Sequence, residues 1–80
     1  MAMMAYARRV FEDDFVVVYE FGETRASGPV GEFVVSKSDA SEWHVFAEPL
    51  YRRWAEVTYV KAAKQFLESG EWPPGVAHNS

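Results

Sequence analysis

The chain has no cysteine and only two histidines, His44 and His78. Without thiols there is no disulfide framework and no thiolate metal site, so two staples that small domains commonly use are missing. Nor does any apolar run approach the ~20 residues that a membrane span needs. Met1-Ala-Met-Met-Ala5 is apolar but too short for the h-region of a signal peptide, and Arg8 and Arg9 follow it where a signal would have its basic residues first. These absences point to a cytoplasmic protein without a membrane partner. No His-x-x-x-His pair, Asp-rich calcium loop or Gly-x-Ser-x-Gly elbow occurs. Gly28-Pro-Val-Gly31 lacks the Lys-Ser/Thr ending and the following helix of a phosphate-binding loop, and reads as a turn.

What is there is one domain's worth of chain, 80 residues of which 16% are aromatic. A domain of this size buries only about 60% of the surface its unfolded chain exposes. With disulfides and metals excluded, dense ring packing or a second chain has to supply the remaining stability. Lys and Arg number 8 against 12 Asp and Glu, a net charge of −4 that disfavours nucleic acid as a partner. The surplus is local: residues 1–46 hold 8 acids and 4 bases, residues 47–80 hold 4 of each.

Phe15-Val-Val-Val-Tyr-Glu-Phe21 is β-branched and aromatic throughout and is the strongest strand signal. Phe15 and Val17 lie on one face and Val16 and Val18 on the other, so the strand is either covered on both sides or meets another chain with one of them. A Gly, Ser and Pro-bearing loop over 22–29 leads to a second strand near Val30 to Lys37, and Trp43 to Phe46 alternates as a short third. Tyr6 to Phe11 forms a further strand that turns through Glu12-Asp13-Asp14. From Ala47 the period becomes helical, with Pro49 suited to the first turn, and it ends at Ser69-Gly70 with Pro73 just beyond. The fold class is therefore α+β: an antiparallel β-meander of three to four strands followed by one long C-terminal helix on one sheet face. Residues 1–75 make the single domain and 76–80 a disordered tail.

Placed on a wheel, Leu50, Trp54 and Val57 share one arc, whereas Tyr59, Val60, Ala62, Ala63, Phe66 and Leu67 cluster nearly opposite. A kink near Val57–Val60, two short helices, or a straight helix that buries different faces at its two ends would each account for this. No Gly or Pro interrupts the segment, which favours the straight helix, one half on its own sheet and the other covered by a second copy.

Chemistry has few places to sit. His44 shares a strand face with Glu42, and His78 lies in the expected tail, so the sequence assigns no metal ligand and no cofactor. Asp13 with Asp14 and Glu20 with Glu32 are the available carboxylate pairs, and a carboxylate site formed at a dimer interface is the remaining enzymatic alternative. Arg53, Lys61 and Lys64 form a basic helix stripe, the raw material for nucleic-acid association or regulation. The leading reading is a small, acidic, non-catalytic protein–protein interaction module, a homodimer or an accessory to another protein. Its expected interface is Tyr59, Val60, Ala63, Phe66, Leu67 and Trp72, with an open sheet edge as the other candidate.

Overall fold

The computed structural model describes residues 3–79. β1 (Met4–Glu12), β2 (Val16–Gly22), β3 (Gly31–Ser36) and β4 (Trp43–Ala47) form the antiparallel meander, and a 3₁₀ turn at Pro49–Tyr51 leads into α1 (Arg52–Ser69). The sheet then gains a fifth strand, β5 (Gly75–Asn79), which pairs antiparallel with β1 and gives the order β4-β3-β2-β1-β5. Five strands thus replace the expected three to four, and most of the expected tail is an edge strand. Gly, Ala and Asn in β5 carry little strand propensity of their own. Tertiary bonds hold the segment in place: Pro74 accepts a hydrogen bond from the Arg9 amide, Trp72 C=O from Arg9 Nη1 at 2.8 Å, and Pro73 C=O from the Tyr19 hydroxyl at 2.5 Å.

The helix packs chiefly over β5, β1 and β2. It is one helix with one buried face, centred on Ala55, Thr58 and Ala62. These are small residues, so the helix approaches the sheet closely, and the larger side chains straddle the contact. Tyr51 and Trp54 flank it on one side, Tyr59, Ala63 and Phe66 on the other, all packed against the core. Each apolar arc of the wheel thus supplies one flank of a single face, Trp54 from the first and Tyr59, Ala63 and Phe66 from the second, while Leu50, Val60 and Leu67 stay exposed and the small centre does not stand out in a hydrophobicity count. Thr58 is buried without cost in hydrogen bonds because its hydroxyl donates to the Trp54 and Ala55 carbonyls of the preceding turn.

Beneath the helix, Val17, Tyr19, Phe21, Phe33 and Val35 are fully buried. Phe33 is the hub of the rings, 5.2 Å from Tyr19, 5.9 Å from Trp43 and 6.2 Å from Tyr59, while Tyr59 itself stacks on Trp43 at 4.1 Å. Gly70, at φ 81°, ends the helix in the left-handed conformation. The chain then doubles back, so that Trp72 stacks on Phe66 at 4.7 Å.

The Glu12–Phe15 turn is organised by one of its own acids. Asp13 Oδ1 accepts the amides of Phe15 and Val16, each at 2.8 Å, and these bonds hold its carboxyl below the usual range. Asp39 does the same at the β3–β4 turn, lowered first by the Ser41 hydroxyl and then by the Ser41 amide. A depressed native value means that these carboxylates stabilise the fold above the ordinary aspartate range and that the contribution disappears as pH falls through the native value. The urea midpoint is accordingly expected to drop as the pH is lowered below about 4, and an Asp13→Ala/Asp39→Ala variant should lose much of that dependence. At Gly31 a side chain has no room, since a Cβ would run into Ala47 Cβ and lie 2.7 Å from the Phe46 carbonyl oxygen. Gly31→Ala should cost about 1–3 kcal/mol in a denaturation experiment, the range for overpacking a close contact.

Candidate functional site

A two-layer fold leaves most of one sheet face without a cover; at one end the β2–β3 loop lies over it, with Gly28 and Pro29 against Gly22 and the Tyr6 side chain buried. The register shows which residues stand there, because directly paired residues in antiparallel strands share a face. Gly75, Arg8, Glu20, Glu32 and Phe46 form one transverse row running through all five strands. The next row is Phe11, Val18, Val34 and His44, followed by Val16 with Ser36. A bulge between Arg9 and Phe11 shifts the register of β1 and aims Phe11 at this face beside Val18. Phe11 is 52% exposed and Phe46 63%, with the three valines between them half-buried.

The face is polarised as well as apolar. At the β1 end, Arg8 holds Glu20 at 2.8 Å, and the Arg25 guanidinium lies over the Tyr6 ring, 5.4 Å from its centroid. Burial first, and the Glu20 charge second, push the Tyr6 hydroxyl above its ordinary pKa. At the β3–β4 end stand Glu32 and the Phe46 ring, and no ion pair involves Glu32 among the described residues. Cations thus lie on one side of β2, and an acid and a ring on the other. The chain matches no family model, no curated protein and no solved structure.

The residues expected to form a helix-borne interface are dispersed by the fold. Tyr59 is held between Trp43 and the Ala40 carbonyl, which accepts its hydroxyl hydrogen bond, and burial raises its pKa. Ala63, Phe66 and Trp72 also pack on the protein's own core, so of the six only Val60 and Leu67 are exposed, at 60% and 81%. The basic stripe does come together: Arg53, Lys61 and Lys64, with His78 of β5, surround a shallow depression of about 460 Å³ floored by Val57 and Val60. The sheet register sets Glu20 and Glu32 side by side, Glu20 lining a small pocket of about 240 Å³ with Tyr6, Arg8, Arg25, Gly28 and Pro29, which do not include Glu32. Glu42 lies in the turn before β4, and His44 borders the apolar row next to Val34. No three of His, Asp and Glu gather to hold a metal ion among the described residues, and no helix there is long and apolar enough to cross a membrane.

One cluster was not legible in the sequence. Glu12 bridges Arg9 at 3.1 Å and Lys37 at 2.6 Å, tying the end of β1 to the residue after β3. The Lys37 hydrogen bond, first among several influences, holds the Glu12 carboxyl low. The three line a cleft of about 470 Å³ with Phe66, Glu71 and Trp72, and the buried Trp72 Nε1 has no hydrogen-bond partner. Only the β-sheet register and the doubling back at Gly70 bring these residues together. Beneath the cleft, burial pushes the Tyr19 hydroxyl up to about 12, with the Arg9 charge opposing. A raised native value makes the tyrosine's contribution complete below about 10 and lost as pH rises through the native value. With Tyr6 and Tyr59 raised as well, tyrosinate absorbance should show a last step at about 12 that coincides with alkaline unfolding, and a Tyr19→Phe variant should lack that step.

Proposed function

We propose that this chain is a non-catalytic protein–protein interaction module that works as a homodimer through the uncovered sheet face. The observation that carries the reading is the apolar row Phe11–Val18–Val34, continued by Phe46 and Val16 on the part of the face that the β2–β3 loop leaves open. A second copy suits it because the face bears both members of a complementary set, cations at one end and acid with ring at the other, and so is complementary to itself. Strand spacing of about 4.8 Å and a rise of about 3.3 Å per residue give the face a flat footprint on the order of 400 Å². Face-to-face packing of two such sheets belongs among the smaller interfaces, where complementarity rather than area sets the affinity. Glu20 and Glu32 enter this interface as partners for Arg8 rather than as an acid–base pair.

Sedimentation equilibrium should show a monomer–dimer exchange with a dissociation constant on the order of micromolar. Val34→Glu places a charge in the centre of the row and should abolish the dimer while far-UV circular dichroism stays native. Leu67→Glu, on the solvent side of the helix, should leave the dimer unaffected. A wild-type protein that stays monomeric at concentrations near 1 mM, more than about a hundred times such a constant, refutes the reading.

A second reading rests on the Arg53, Lys61 and Lys64 cluster, whose cations have no acidic partner among the described residues apart from the neighbouring Glu56, itself held by Arg52 at 3.1 Å. It supports a regulatory role through a polyanion such as single-stranded nucleic acid. Retention of a labelled oligonucleotide at low salt, lost in an Arg53→Glu/Lys64→Glu variant, is the expected result, and no retention at low salt rejects it.

A further inference from the structure

From the arrangement of the transverse row we infer that the two-fold axis of the homodimer runs along β2, so that Arg8 of each copy meets Glu32 of the other. This inference rests on the homodimer reading and adds its geometry. Two sheets packed face to face by a two-fold operation can be related by an axis parallel to the strands or by one across them. An axis parallel to β2 keeps every residue at its own height along the strands and exchanges the strands on either side: β1 faces β3, and β5 faces β4.

The row Gly75–Arg8–Glu20–Glu32–Phe46 is built for that exchange. Arg8 comes opposite Glu32, a cation opposite an acid that has no partner of its own among the described residues. Phe46, the largest side chain of the row, comes opposite Gly75, the one residue with no side chain. Arg25 already stands over Gly75, its Nη2 3.7 Å from where a Cβ would be, so the incoming Phe46 ring packs on the guanidinium rather than into an empty site. Glu20 sits on the axis opposite the partner copy's Glu20, and each is held by the Arg8 of its own chain at 2.8 Å, which is shared with the facing Glu32. In the neighbouring row Phe11 comes opposite Val34, and Val18 opposite Val18, so the centre is dry. An axis running across the strands instead keeps each strand over itself: placed between the rows it sets the charged row against Phe11, Val18 and Val34, and placed on the charged row it sets Arg8 on Arg8 and Glu32 on Glu32. Either placement desolvates Arg8 and Glu32 without pairing them with each other, which is costly. The twist of each sheet turns the strands about 30° apart, half of it on each side of the axis, a displacement that an arginine side chain spans.

Charge reversal tests the axis. Arg8→Glu alone sets two acids against each other at both symmetry-related contacts, and Glu32→Arg alone sets two cations, so each should weaken self-association at least about tenfold. Mixed in equal amounts, the two variants should form a heterodimer close to wild-type affinity, because one copy then carries two acids and the other two cations at the facing positions. The double variant Arg8→Glu/Glu32→Arg should dimerise with itself, since Glu20 still has a cation next to it within the row. Arg8→Gln and Glu32→Gln, which add no repulsion, should weaken the dimer by smaller factors and serve if a reversed variant loses its native circular dichroism. A wild-type dimer whose folded single variants neither weaken nor rescue each other on mixing overturns the axis and leaves the homodimer standing. A wild-type monomer overturns both.

Discussion

The close approach of the helix to the sheet at Ala55, Thr58 and Ala62 is the constraint on which the rest of the molecule depends. Because nothing larger than a threonine stands at the centre of the contact, the helix settles low enough for rings on both its flanks to reach the sheet. Tyr59 then lies flat on Trp43, and Phe66 presents a face to Trp72. A large side chain at any of the three central positions would lift the helix and separate both stacks together, since packed interiors tolerate little added volume. The aromatic content of the chain is thus spent on one continuous layer with Phe33 at its middle.

A single layer of this kind protects one side of the sheet. The polar residues that stand on the other side do not make it an ordinary solvated face, since Phe11, Val18, Val34 and Phe46 interrupt them. The valines of β2 already pointed to this, with Val16 and Val18 as apolar as Val17. The sheet places Val17 under the helix and Val16 and Val18 on the far side, half-buried by their neighbours in the strands. The proposed second copy is therefore placed on the sheet and not on the helix.

Four strands, the helix stop at Gly70 and the facing of Glu20 with Glu32 were readable because each depends on short-range pattern: alternation over a few residues, a glycine before a proline pair, a fixed offset between hairpin partners. Three features were not. The buried stripe Ala55–Thr58–Ala62 is weakly hydrophobic, so its position is decided by how the sheet fills the space beneath it. β5 has almost no local preference to declare and is shaped by bonds from Arg9 and Tyr19, more than fifty residues away in sequence. The Arg9–Glu12–Lys37 bridge needs the β1–β2–β3 register before its members are neighbours. In each case the missing information is tertiary, and no residue involved is unusual in itself.

The pairing of β5 with β1 sets the order in which the molecule can be completed. The meander from β1 to β4 consists of sequence-adjacent hairpins and can form as the chain emerges, but β1 keeps one hydrogen-bonding edge open until Gly75–Asn79 arrives after the helix. Closing that edge joins segments from opposite ends of the described chain, the contact with the largest loop-closure entropy in the fold and the one that slows folding most. Until then the β1 edge, beside Met4 and Tyr6, is available to any other extended strand. The doubling back at Gly70 and Trp72, by carrying Gly75–Asn79 to the side of β1, is what turns a nascent hairpin stack into a finished sheet.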